Sequence, residues 1–542
     1  MSSEDFDKMR GGYYTPPLIT NYITRWAISN GTETVLEPSC GAGNFIYAIS
    51  QRMDEFGISA KEKSNKILGI ELYDGEAEKA RAYGATIETF DFFGYYKDNI
   101  RGKKTFDAVL GNPPFIRYQN FEEKYRNLAF ELSEEIGIKL NRLTNIWIPF
   151  LILSTECLNE NGKLGMVIPA ELFQVDYAAA TRKYLTEKFE HLTIITFKKL
   201  LFEGTQEEVV ILLGEKKSNK KGIEVVELED ASELISKKID LDATETKELD
   251  HSTEKWVKYY LSTEELDLLR RLENDERLCL TTDLFETNVG VVSGQNKFFV
   301  MDKESVEERD LQSKVQPIVG RAEQLSGITF SDKDFEEVSN AGKKVYLFTP
   351  DNVDFAELSE AEKKYIQLGE KEEYHKGYKC RIRNRWYIVP QSWKPNAFML
   401  RQINRVPKIV VNYTSATNTD TLHKIRFLDG VNGNHVAAAF INSFTFAQCE
   451  ITGRSYGGGV MTFEPGEVRK LRIPMTNAEK LDIAYLDKCM RENKIEEALS
   501  YSDDILLKQG LGLSDIEVSM LKEIWIKLSS RRIDRKMAKK II

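Results

Sequence analysis

Residues 110–118 read Leu-Gly-Asn-Pro-Pro-Phe-Ile-Arg-Tyr, directly after the apolar run Phe106-Asp107-Ala108-Val109-Leu110. The run has the content of a buried parallel strand, and Gly111 ends it, so Asn112 stands where a strand opens into a loop. Pro113 and Pro114 fix φ and remove two backbone donors, which leaves the carbonyls of Asn112 and Pro113 with few local partners. Phe115 adds an aromatic plane. Side-chain oxygen, backbone oxygen and ring together describe a receptor for a planar heterocycle with an exocyclic amino group. Asn-Pro-Pro is also an ordinary turn sequence, so its neighbours have to decide.

Upstream, Gly11 to Pro17 (GGYYTPP) precedes Leu18, Ile19, Tyr22, Ile23 and Trp26 at helical spacing, with Thr15 as the expected N-cap. Thr34-Val35-Leu36 then reads as a short strand running into Glu37-Pro38-Ser39-Cys40-Gly41-Ala42-Gly43-Asn44-Phe45, and a helix follows. Strand, glycine turn and helix form the first unit of a doubly wound sheet. The turn lacks the third glycine of a dinucleotide fingerprint and the Lys-Ser/Thr of a phosphate loop, which argues against both ligands. A second strand over 67–72 carries Glu71 at its tip, placed to accept from ribose hydroxyls. A third over 85–88 leads to Asp91-Phe92-Phe93, an acid for an adenine amino group beside a covering aromatic. The fourth delivers Asn112. Four successive strand ends thus present a glycine turn, a ribose acid, an adenine acid and an amino-group receptor.

At 542 residues the chain needs two or three domains, and 42% hydrophobic with 30% charged residues marks a soluble globular protein. The longest apolar stretch, Ile146 to Leu153, is too short to span a bilayer, and MSSEDFDKMR has acids where a secretion signal has basic and apolar regions. The expectation is a cytoplasmic protein without membrane contact. Six scattered cysteines without a CxxC point to reduced thiols and no metal site. With a net charge of -10, any polyanion has to meet a local basic face.

In this order the motifs resemble those of the gamma class of N6-adenine DNA methyltransferases from restriction-modification systems, which depend on S-adenosylmethionine. Matching pieces are Tyr13-Tyr14-Thr15-Pro16, Glu37 to Phe45, Glu71, Asp91-Phe92 and Asn112 to Phe115. Leu201-Phe202-Glu203-Gly204 is similar to the block with a second aromatic that sandwiches the flipped base. Val291 to Val300 and Tyr456 to Pro474 resemble segments of that class's target-recognition region. Phe115 departs from the tyrosine many relatives carry.

The resemblance implies an α/β fold: a Rossmann-like methyltransferase sheet over 1–250, a mixed α/β recognition domain over 251–475 and a helical extension over 476–542. It implies cofactor contacts from Tyr14, Thr15, Pro16, Glu37, Pro38, Ser39, Cys40, Gly41, Gly43, Asn44, Phe45, Glu71, Asp91, Phe92, Asn112 and Pro113. Catalysis falls to Asn112, Pro113, Pro114, Phe115 and Phe202. The Asn112 side-chain oxygen and the Pro113 carbonyl would hold the two N–H bonds of the target amine, so positioning supplies most of the catalysis.

Lys376 to Lys408 holds nine Lys and Arg and no Asp or Glu, interleaved with Tyr378, Trp386, Tyr387 and Trp393. Such a stripe is an electrostatic footprint for phosphates. Alternation over 379–388 predicts strands with Arg381, Arg383 and Arg385 on one face; Trp386, Lys394 and Arg401 complete the expected DNA contacts. Double-stranded DNA is the expected partner, with a monomeric enzyme and any restriction endonuclease as a separate protein. Two alternatives stay open: a methyltransferase for RNA or a protein glutamine amide, and an inactive DNA-binding specificity component.

Overall fold

The computed structural model describes residues 15–199, 208–236, 245–390, 393–456 and 459–538. The chain forms two compact units, Met1–Thr263 with Asp534–Ile542, and Glu264–Ile533. The first division was expected near residue 250. The helices after 475, expected as a separate extension, belong to the second unit as far as Ile533.

The first unit is built on an eight-stranded sheet: β1 (Val35–Glu37), β2 (Ile67–Glu71), β3 (Thr86–Thr89), β4 (Phe106–Gly111), β5 (Leu158–Pro169), β6 (His191–Phe197), β7 (Val209–Glu215) and β8 (Gly222–Leu228). Their spatial order is β3-β2-β1-β4-β5-β7-β6-β8. β1 pairs parallel with both β2 and β4. β7 lies antiparallel between β5 and β6. Strands covered on both faces read as continuous apolar runs, and β1 and β2 are buried at every position. From β1 the chain winds outward through β2 to β3, then returns to β4 on the other side, so the order reverses between β1 and β4. Ligands of open α/β sheets bind beyond the strand ends at such a reversal.

Helix Pro17–Ala27 buries Ile19, Thr20, Ile23, Thr24 and Ala27, one face at helical spacing. Its N-cap is Pro16 and not the expected Thr15: the Pro16 carbonyl accepts from the N–H groups of Ile19 and Thr20. Thr15 is itself buried.

The second unit holds a five-stranded sheet ordered Phe285–Val289, Leu422–Phe427, Ala397–Leu400, Ile409–Asn412 and Thr329–Phe330, with smaller sheets beside it. Phe298 centres one of its cores, stacked on Tyr365 at 4.6 Å and packed on Trp386 at 4.8 Å. The later helices are tied in by buried polar contacts. Asp503 accepts from the N–H and hydroxyl of Ser443 at 2.8 and 2.6 Å, and Arg532 pairs with Glu450 at 2.6 Å. No helix among the described residues is long and apolar enough to cross a membrane.

Candidate active site

Beyond the ends of β1, β2 and β4 lies a cavity of about 160 Å³, lined by residues of the first unit alone. Its floor is the turn after β1. The Cys40 N–H donates to the Ile70 carbonyl at 2.9 Å and the Gly43 N–H to the Cys40 carbonyl at 2.8 Å. Gly43 adopts φ +91°, and a Cβ there would stand 2.9 Å from the Ala80 Cα, so only glycine fits. Helix Asn44–Glu55 starts from this turn, and the Asn44 amide donates to the Thr15 carbonyl at 3.0 Å.

Glu71 ends β2. Its carboxylate takes the Gly41 N–H at 2.8 Å and the Tyr73 N–H at 3.0 Å, one on each oxygen. Burial nevertheless raises its pKa, with those N–H groups pulling the other way. Glu37, at the end of β1, is pushed well above the carboxylate range by burial and then by the charge of Glu71. Its Oε2 is buried with no hydrogen-bond partner among the described residues. After β3, Asp91 caps a short helix by accepting the Gly94 N–H at 2.7 Å, and burial lifts its pKa to about 6. After β4, the Asn112 carbonyl accepts from the Ser39 hydroxyl at 3.4 Å.

Thr15, Glu37, Pro38, Ser39, Cys40, Gly41, Asn44, Phe45, Glu71, Asp91, Phe92, Asn112 and Pro114, all among the candidate residues of the sequence analysis, line this cavity. Pro16, Gly43, Pro113 and Phe115 do not. The Phe115 ring, expected as an open face beside the acceptors, is nearly buried in the core. Phe92 is largely occupied as well: its ring stacks on Phe150 at 5.1 Å and 18°. Exposed aromatics of the lining are Tyr73 and Phe90, and the sequence reading passed over Phe90 although it adjoins Asp91. Tyr73, Glu76, Ile116, Phe121 and Phe150 also line the cavity without having been anticipated. Tyr14 and Phe202 lie outside the described residues.

The lining contains four carboxyl groups, Glu37, Glu71, Glu76 and Asp91, and no lysine or arginine. Such a site repels phosphates and favours a cation.

The predicted strands over 379–388 are not formed. Tyr378–Arg381 is a short helix entered from Gly377, burying Cys380 and leaving Ile382 exposed, so the apparent alternation has no sheet face behind it. Arg383 donates to the Val292 carbonyl at 2.8 Å, and Arg385 to the Asn352 side chain and to Asp354, each at 2.6 Å. Trp386 packs on Phe298 and donates to Glu370 at 3.2 Å. Arg401 pairs with Glu464 at 2.7 Å. These four side chains brace the second unit. Arg381 and Lys394 are exposed. Among the described residues no cluster of His, Cys, Asp and Glu is arranged to hold a metal.

A family model described as N-6 DNA Methylase matches residues 2–276, and one described as Type II methyltransferase M.Eco57I, C-terminal domain, matches residues 253–507. Type II methyltransferase M.AccI of Acinetobacter calcoaceticus is 25% identical over 497 residues, covering 88% of this chain and 86% of that protein. Type II methyltransferase M.XamI of Xanthomonas campestris pv. amaranthicola is 21% identical, covering 86% of this chain and 85% of its own. Among solved structures, the Type IIL restriction-modification enzyme MmeI in complex with DNA shares the fold, with a TM-score of 0.61, 11% identity and coverage of 98% of this chain and 80% of that one. The first model spans half of the chain, which therefore belongs to the N-6 DNA methylase family and is a DNA methyltransferase of the restriction-modification type.

Proposed function

We propose that the protein transfers a methyl group from S-adenosylmethionine to N6 of an adenine flipped out of duplex DNA. The carrying observation is the meeting, in one acid-lined cavity at the sheet reversal, of Glu71, Asp91 and the Asn112 loop. The donor set fits the cofactor: the carboxylates suit its positive charge, and the absence of basic lining is at odds with a phosphate-bearing nucleotide. When bound, the cofactor supplies an electrophilic methyl group on a sulfonium. Glu71, held by two backbone N–H groups, orients ribose hydroxyls. Asp91 accepts from the cofactor's adenine amino group; with a pKa of about 6 it is mostly ionised at neutral pH. Phe90 covers that ring.

The target amine is a poor nucleophile because its lone pair is delocalised into the purine. The Asn112 side-chain oxygen and the Pro113 carbonyl accept its two N–H bonds, favour a pyramidal nitrogen and hold the lone pair in line. No strong base is required in this scheme. Phe115 and Phe202 keep the roles that the resemblance assigns them, Phe115 through the edge of a mostly buried ring. Duplex DNA is engaged through the second unit, with Arg381 and Lys394 as exposed cations for phosphate. One copy suffices, working in the cytoplasm, and any cognate endonuclease is a separate protein.

The test is to incubate the protein with plasmid DNA and cofactor bearing a labelled methyl, then digest to nucleosides. Label in N6-methyldeoxyadenosine supports the reading; label in a cytosine product, or none, overturns it. Phe90→Ala is expected to raise the KM for the cofactor about tenfold while leaving the melting temperature unchanged, since the lost face is half exposed. Saturation kinetics with thermal denaturation check it.

A further inference from the structure

The continuation of the Asn112 loop is hydrogen-bonded to a second loop. Arg117 and Asn145 form an antiparallel bridge, and the Ile146 N–H donates to the Ile116 carbonyl at 3.0 Å. The second loop projects a tight turn, Asn141 to Thr144, with Arg142 and Leu143 as its central residues. The Thr144 N–H donates to the Asn141 carbonyl at 2.9 Å, the Leu143 N–H to the Asn141 side chain at 2.8 Å, and the Asn141 N–H to the Thr144 hydroxyl at 3.2 Å. Thr144 and Asn145 are buried, so the turn stands on a fixed root.

At its tip Leu143 is 79% exposed, the most exposed large apolar side chain among the described residues. Nothing in folding accounts for a leucine held in water on a cross-braced turn. Its surroundings are cationic. No acid occurs between Glu135 and Glu156, nor from Gly111 to Phe121, while Arg117, Lys139 and Arg142 are exposed there. Several other cations of this unit are paired, among them Lys97 with Glu131, Arg101 with Glu135 and Lys188 with Glu156. These three form no ion pair among the described residues.

We infer that Leu143 is the wedge that enters the base stack and takes the place of the extruded adenine, with Arg117, Lys139 and Arg142 gripping the flanking phosphates. The inference rests on the flipping reading above and assigns its mechanical part. An apolar side chain driven between base steps offsets lost stacking, and cations beside it hold the opened backbone. Because the wedge loop is hydrogen-bonded to the segment that continues the Asn112 loop, insertion and presentation of the base are coupled. Leu143 is a positioning residue in this account, remote from the reacting atoms.

The test uses the full chain and two duplexes carrying the site mapped from methylated host DNA. In one the target adenine faces thymine; in the other it faces an abasic position, where extrusion is easier. Leu143→Ala is expected to lower kcat/KM on the paired duplex about 30-fold, yet to stay within about threefold of the wild type on the abasic duplex. Leu143→Met should retain both rates, and cofactor affinity and melting temperature should be unchanged for both variants. An unimpaired Leu143→Ala, or an equal loss on both duplexes, overturns the wedge while the methylation reading stands. A wild type that methylates adenine in neither duplex removes that reading, and the wedge with it.

Discussion

Replacing Asn112 by alanine is expected to cut adenine methylation by about 10³-fold while S-adenosylmethionine still binds within a few-fold of the wild type. Asn112 follows the last residue of β4, and the burial around it belongs to Val109, Leu110 and Pro113, so the substitution leaves the core intact. What disappears is the side-chain acceptor proposed for one N–H of the target amine. A nitrogen left planar keeps its lone pair in the purine. Cofactor affinity is expected to survive because Glu71, at the end of β2, and Asp91, at the helix cap after β3, stand on segments other than the one that carries Asn112. Single-turnover methylation and calorimetric titration of the cofactor separate the two effects. Parallel loss of both would show that Asn112 serves binding and not the transfer.

Glu71→Ala is expected to weaken cofactor binding about 100-fold, equivalent to about 2.7 kcal/mol. Its carboxylate is the common acceptor for the Gly41 and Tyr73 N–H groups, so removal unpairs two donors and also takes away the acceptor proposed for the ribose. The charge of Glu71 is one of the causes that hold the Glu37 carboxyl high. In the variant, Glu37 should therefore ionise at lower pH, restoring part of the negative charge without restoring the geometry. Glu71→Gln, which keeps one acceptor oxygen, should fall between the two. Titration at neutral pH decides: an affinity within about twofold of the wild type would withdraw Glu71 from the cofactor site.

The first half of the sheet was legible because strands buried on both faces leave little freedom of sequence. β1, β2 and β4 appear as short apolar runs closed by glycine, proline or acid, and each begins or ends within a residue or so of where those runs do, whereas β3, Thr-Ile-Glu-Thr, is buried at Ile87 alone. Glu71, Asp91 and Asn112 stand at or just beyond strand ends, so finding the runs also singled them out, and all three line one cavity. The aromatics were less legible, because a ring can stack on a ligand or fill a core at the same spacing. Phe92 and Phe115 were read as ligand faces and are mostly buried, whereas Phe90 and Tyr73 are rings left open.

The basic stretch failed for a related reason. Counting Lys376 to Lys408 showed where positive charge lies in the sequence, but its neutralisation comes from carbonyls and carboxylates distant in the chain: Val292, Asp354, Glu464. Conversely, the exposure of Leu143 has no signature in composition. It becomes visible only once the turn that displays it is seen to be braced.

The most direct measurement is single-molecule sequencing of genomic DNA from a host lacking its own adenine methylation and expressing either the wild-type chain or Asn112→Ala. The account predicts N6-methyladenine at one recurring sequence in the first DNA and none in the second. Adenines left unmodified by the wild type, or modification by the Asn112→Ala chain at wild-type density, would contradict it.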